Sequence, residues 1–236
     1  SQGRACVLSG VFELLTSGCD CKQGLKEVVM LGLIGKKVGM TRIFDDNGMV
    51  IPVTVIEAGP CRVTQIKTKK KDGYNALQMG FGSRKEKNVT KPMKGHLAKA
   101  AKDFYPETLG EFRMEDVASY ELGQELNVEM FEAGDGVDVS GVTKGRGFQG
   151  VIKRHGFSGG DATHGNTAHR VPGAIGMSAD PARVWKGKKL PGQYGNTGKK
   201  TINLIVAKVD PESNRIFIKG AVPGPASGFV TVFKKK

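Results

Sequence analysis

The chain has 236 residues, with 36 Lys+Arg against 23 Asp+Glu and a formal net charge of +13. That length suffices for a buried core, and 39% hydrophobic residues argue against wholesale disorder. No run approaches 18 consecutive apolar residues, which excludes a membrane-spanning helix, and four cysteines in this length exclude a disulfide scaffold and point to a reducing, intracellular home.

Residues 1–29 carry Cys6, Cys19 and Cys21 and balance three basic with three acidic side chains. They fit neither a signal peptide nor an Arg-rich transit peptide, and are expected to be a disordered extension. From residue 30 the pattern turns β. Residues 40–44 and 49–57 flank Asn47-Gly48, a tight-hairpin signal. Residues 63–68 and 76–81 flank a basic turn, and alternate β-branched with polar residues as half-buried strands do. Residues 92–102 predict one short helix, favoured by Ala98, Ala100 and Ala101. Residues 111–138 return to short strands. Residues 201–209 and 215–222 predict a hairpin about a turn at 210–214, and 229–233 a last strand before a Lys-rich tail.

The charge is partitioned. Residues 1–139 hold 19 basic and 19 acidic side chains, in blocks: 12 and 2 over 62–102, then 1 and 11 over 103–138. Residues 140–236 hold 17 basic and 4 acidic, hence the whole excess. Within them, residues 140–200 contain 14 glycines, 11 basic and 2 acidic residues, without helix or strand period over most of their length. Too few apolar residues are present to offset the ordering entropy. A long stretch of this kind is an arm ordered by a polyanion.

Three patterns resemble enzyme sites, and each falls short. Gly145-Arg146-Gly147-Phe148-Gln149-Gly150 has the dinucleotide-loop spacing, but residues 151–160 are basic and Gly-rich and are expected not to be helical, and Arg170 stands where an acidic residue is needed. Gly198-Lys199-Lys200-Thr201 lacks the first glycine of a phosphate-binding loop. His155, His164, His169 and Asp161 are the set a zinc hydrolase would require, yet they sit among Lys and Arg and lack i, i+4 spacing. No metal, cofactor, small-molecule substrate or catalytic residue is expected; stoichiometric zinc in purified protein would favour the rival hydrolase. The remaining chemistry is cations interleaved with glycine, suited to phosphate contact, with Trp185 available to stack on a base or to anchor the arm on the body. Structured RNA suits a thin arm better than duplex DNA, and no helix-turn-helix candidate is present.

Met30-Leu31-Gly32-Leu33-Ile34-Gly35-Lys36-Lys37-Val38-Gly39-Met40-Thr41-Arg42-Ile43-Phe44 resembles the start of the universal large-subunit ribosomal protein L-three family, in its bacterial and organellar form. Further segments resemble it in the same order: Ile51-Pro52-Val53-Thr54-Val55-Ile56, Val142-Thr143-Lys144-Gly145-Arg146-Gly147-Phe148, Thr163-His164-Gly165-Asn166, His169-Arg170-Val171-Pro172-Gly173, Lys186-Gly187-Lys188-Lys189 and Lys219-Gly220-Ala221-Val222-Pro223-Gly224. The resemblance implies a mainly β fold: a six-stranded translation-factor-type β-barrel from 30–84 and 120–236, a small α+β insertion at 85–119, and a long extended basic loop at 140–200. It implies a non-catalytic structural constituent of the large subunit that binds large-subunit (23S-type) rRNA near its 3′ end and nucleates subunit assembly. The loop would thread toward the peptidyl-transferase centre. Neighbouring large-subunit proteins are the other partners, and the ribosome is cytoplasmic in a bacterium, or organellar. The rRNA-binding residues expected are Lys36, Lys37, Arg42, Lys144, Arg146, Lys153, Arg154, His164, His169, Arg170, Arg183, Trp185, Lys186, Lys188, Lys189, Lys199 and Lys200. Where some bacterial members carry a methylated glutamine, this chain has Ala179, so that modification should be absent.

Overall fold

A computed structural model describes residues 32–45, 47–100 and 104–235. The extension at 1–29, the last two residues of the expected helix at 92–102, and the final lysine of the tail lie outside the described residues.

Six strands close an antiparallel barrel: β1 (Gly32–Phe44), β2 (Val50–Ala58), β7 (Gly136–Val142), β10 (Gly198–Asp210), β11 (Arg215–Lys219) and β12 (Phe229–Lys234). Their order around the barrel is β1-β12-β7-β10-β11-β2, with β2 returning to β1. Closure pairs the barrel's edges, which in an open sheet would be left bare. The period-2 pattern directs Ile56 of β2, Val137 and Val139 of β7, Ile216 and Ile218 of β11, and Val230 and Val232 of β12 inward. Each such side chain contributes roughly 1.5–3 kcal/mol on burial. The β1–β2 hairpin turns where the sequence predicts, with the Asp45 and Gly48 amides donating to Met49 O and Asp45 O.

A second sheet, ordered β5-β4-β3-β6, consists of β3 (Cys61–Lys67), β4 (Ala76–Phe81), β5 (Thr108–Arg113) and β6 (Glu125–Leu126). The insertion's strands therefore run from Cys61 to Leu126, not from 85 to 119. The alternation of β3 and β4 says that one face is buried but not against which sheet, so the sequence counted them with the barrel. The two sheets share one core, in which Val63, Leu77, Met79 and Phe112 join Leu33, Ile34 and Val232.

The charge blocks of the first half meet across this second sheet. Lys67 pairs with Glu111 at 2.5 Å, Arg62 with Glu125, and the Tyr74 hydroxyl donates to Glu111. The hydrogen bonds that Lys67 donates to Glu111 and Tyr74 raise Lys67, and the bond accepted from Lys67 lowers Glu111. Blockiness along the chain thus becomes pairing in space.

Helices are few and short among the described residues. Helix α1 (Lys69–Asp72) is a single turn within the expected basic turn. Helix α2 (Lys91–Leu97) ends well before residue 102; Gly95 weakens its interior and Leu97 is its one buried side chain. The following alanines favour helix by propensity, but residues 98–100 form turns because no apolar stripe holds them to the body.

Candidate nucleic-acid interface

The arm leaves the barrel between β7 and β10 and is more ordered at its root than its composition suggests. Strand β8 (Gly147–Gln149) pairs with β9 (Gly192–Tyr194), and helix α3 (Val151–His155) follows β8. The expectation that residues after Gly150 are not helical is thereby corrected: Val151 is 1% exposed and pins one helical turn that a five-residue segment cannot announce by periodicity. The dinucleotide reading still lacks its acidic partner, and β8 is a three-residue ribbon strand, not a buried one. Beyond α3, residues 158–189 are almost wholly exposed.

One β-bulge-like irregularity lies where the returning limb of the arm rejoins the barrel. Between Thr201 and Leu204 the β10–β7 register shifts, and Asn203 there has φ 59°. Asp138 of β7 holds this kink: its carboxylate accepts the Asn203 amide at 2.9 Å and the Lys200 ammonium at 2.9 Å. Burial pushes the Asp138 carboxyl up, but bonds from Lys200 and Asn203 and the charges of Lys200 and Lys235 outweigh it, so the group titrates below its ordinary range. A depressed carboxylate stabilises the fold fully at neutral pH, and this contribution fades as pH drops below the usual carboxylate value toward the folded one. Asp138→Ala is expected to cost about 1–3 kcal/mol at pH 7, since it leaves the Asn203 amide without its acceptor. The gap between variant and wild-type denaturation midpoints should shrink as the solution is acidified through pH 4 toward pH 2.

Most of the arm's cations are without counterions among the described residues. Of the eleven at 140–200, Lys200 has an ion pair among the described residues; Lys144, Arg146, Lys153, Arg170, Lys186, Lys188, Lys189 and Lys199 are exposed and have none. Arg154 donates to Leu190 O and so ties the arm's two limbs together. Arg183 lies 4.9 Å from the Trp185 ring centroid, and that ring is 57% exposed. The arginine-stacked indole keeps one face for a base and, being so exposed, does not anchor the arm on the barrel.

The histidines do not converge. His155 donates to Leu190 O at 3.1 Å, and His169 to the backbone oxygen of Asp161 at 2.8 Å, while exposed His164 makes no such bond. Among the described residues no three of His, Cys, Asp and Glu come together. Cys61 is buried beneath the barrel, where burial pushes its thiol up to about 11, so it is not a thiolate nucleophile at neutral pH.

Three expected contacts lie on β1. Lys36 is half-buried and Arg42 exposed, whereas Lys37 is 8% exposed and its ammonium donates to Val222 O at 3.0 Å. Lys37 is lowered by burial and by the charge of Lys144, which places two cations at the same barrel mouth with no carboxylate bonded to either. Sequence reasoning overlooked Thr143, Tyr194 and Thr197 at the arm root. The signal was available in Gly192-Gln193-Tyr194-Gly195, an aromatic residue between the limb's glycines and five positions before Lys199.

A closed six-stranded antiparallel barrel in a mainly β chain is the fold class that the motifs implied, and a cationic arm leaves it between the third and fourth barrel strands. The family model for ribosomal protein L3 matches residues 113–231, half of the chain, covering the end of β5, the later barrel strands and the whole arm. The chain belongs to the ribosomal protein L3 family. Members of the L3 family are structural, rRNA-binding constituents of the large ribosomal subunit, not enzymes. The match includes most of the expected contact residues and excludes Lys36, Lys37 and Arg42, which stand on the motif at 30–44 alone.

Proposed function

We propose that this L3-family chain binds 23S-type rRNA near its 3′ end, helps nucleate large-subunit assembly, and sends the 140–200 arm toward the peptidyl-transferase centre. Its ribosome is that of the bacterial cytoplasm, or of an organelle. The observation that carries this reading is the arm itself: a thin, exposed ribbon whose cations, Lys200 apart, lack internal counterions among the described residues. Its cations offset phosphate repulsion where RNA helices converge, and release counterions as they do so. Glycines bring backbone amides close to phosphate oxygens. The barrel supplies a rigid anchor, with neighbouring large-subunit proteins against its remaining surface. Ala179 at the arm's tip offers no glutamine side chain for methylation, so packing there relies on the unmodified backbone and the flanking Met177.

Crosslinking in lysate followed by sequencing of the bound RNA tests the assignment. Arm peptides are expected on large-subunit RNA that lines the peptidyl-transferase centre, and barrel peptides near the 3′ end of the same molecule. Crosslinks spread over small-subunit or messenger RNA would overturn it.

A further inference from the structure

The arm root lines a half-open cavity of about 550 Å³ between the end of the barrel and the β8–β9 ribbon. Thr143, Lys144, Arg146, Tyr194, Thr197 and Lys199 are among its walls, and no carboxylate is. The backbone makes it rigid. The Arg146 amide donates to Tyr194 O at 2.8 Å, the Asn196 amide to Thr143 O at 3.2 Å, and the Thr143 hydroxyl to Thr197 O at 3.2 Å. At Gly195 a Cβ would stand 2.1 Å from Lys144 O, and φ is +72°, so the two limbs approach as closely as they do only because that position is glycine.

The contents of the walls decide what enters. Phosphates alone need an open track of cations, not a hollow several times a phosphate's size. A cavity in the volume range of organic ligands, with an aromatic face and a few fixed polar groups, suits a planar ring with a charged appendage. Tyr194 is 41% exposed, and its hydroxyl has no partner among the described residues. Lys144, Arg146 and Lys199 ring the cavity without ion pairs. Trp185, the arm's other exposed stacking ring, already carries Arg183 on it.

We infer that this cavity receives one unstacked nucleotide of the bound RNA, its base against the Tyr194 ring and its phosphate among Lys144, Arg146 and Lys199. The inference rests on the rRNA-binding reading and adds to it a place where the arm root grips a single extruded base. Sequence tolerance is expected, because every base has a π face.

Stacking and phosphate contact differ in their response to salt, which gives the test. The full chain and its variants are titrated with an in vitro transcript of the large-subunit RNA between 50 and 200 mM salt. Tyr194→Ala is expected to lose about five- to a hundredfold in affinity at every salt concentration, with the slope of log K against log salt unchanged. Tyr194→Phe should stay within about twofold of wild type, and Lys199→Ala should flatten the slope by about one. Tyr194→Ala within twofold of wild type, or a loss accompanied by a flatter slope, overturns the pocket while the wild-type slope upholds RNA binding. A wild type indifferent to salt removes the RNA-binding reading itself. Base-specific chemical probing of the wild-type complex needs no variant: one unpaired base should become protected, and its absence overturns the pocket too.

Discussion

Between 50 and 200 mM salt, the affinity of the full chain for large-subunit RNA is expected to fall by roughly 10³–10⁵-fold, the loss that attends six to ten phosphate contacts. The arm supplies the charges. Its acidic residues are Asp161 and Asp180, and neither forms an ion pair with an arm cation among the described residues. Lys200 is subtracted from the count, since Asp138 neutralises it inside the fold. A charge left unpaired on a thin ribbon keeps its counterions loosely until RNA displaces them, so each contact appears in the slope. Replacing Lys186, Lys188 and Lys189 together by alanine should flatten that slope by roughly two to three. All three are exposed and touch no part of the core, so the variant's denaturation midpoint should match wild type. Filter binding across a salt series measures both. A wild-type curve that is flat in salt would remove the electrostatic mechanism, and a triple variant with the wild-type slope would move the phosphate contacts elsewhere on the molecule.

Much of the architecture was legible in the sequence, for identifiable reasons. Charge density survives folding, because an exposed lysine stays exposed whatever the loop conformation; the partition at residue 140 therefore located the arm. Period 2 survives in part: the β1–β2 and β10–β11 hairpins and β12 fall where the sequence places them, whereas β1 begins earlier than residue 40 and β7 runs past residue 138. What pairing partner a strand chooses is a different matter. Strands β3 and β4 carry the same half-buried signature as β1 and β2, and their own sheet is fixed by long-range contacts that no local pattern encodes. Helix α3 escaped for the opposite reason, being too short to repeat a hydrophobic period.

At the site, the sequence separated cations by number and not by direction. Lys37 shows the difference. It stands at spacing two from Leu33 and Gly35 along β1, on the strand's inward face, and the side chain therefore turns into the barrel mouth instead of toward solvent. The alternation that identified the strand already implied this, but a basic motif draws attention to charge before face. The Thr143, Tyr194 and Thr197 cluster was less accessible: its members come together only because the arm returns alongside itself through β8 and β9, a pairing of residues more than forty positions apart.

Phe112→Ala should produce the largest loss of stability available from one side chain outside the arm. Phe112 belongs to the insertion's sheet, is 1% exposed, and its ring centroid lies 5.6 Å from that of Phe233 in barrel strand β12. A Cβ at Gly32 of β1 would come within 2.9 Å of the same ring, so the barrel wall is thinned there to admit it. One aromatic side chain thus bolts the second sheet to two barrel strands. Truncation removes its buried surface and leaves a cavity between sheets that cannot collapse, because both backbones are held by their own ladders; a cost of about 3–5 kcal/mol is expected. Against a total stability of about 5–15 kcal/mol this is a large fraction. Denaturant unfolding measured by far-UV circular dichroism reads it as a lowered midpoint. Two further outcomes are informative. A single cooperative transition in both proteins means the sheets unfold as one unit, as their shared core requires. A midpoint shifted by less than about 1 kcal/mol, or a variant that loses the insertion in a separate early step with the barrel untouched, would show that the second sheet stands on its own contacts and that the Phe112–Phe233 junction carries none of the barrel's stability.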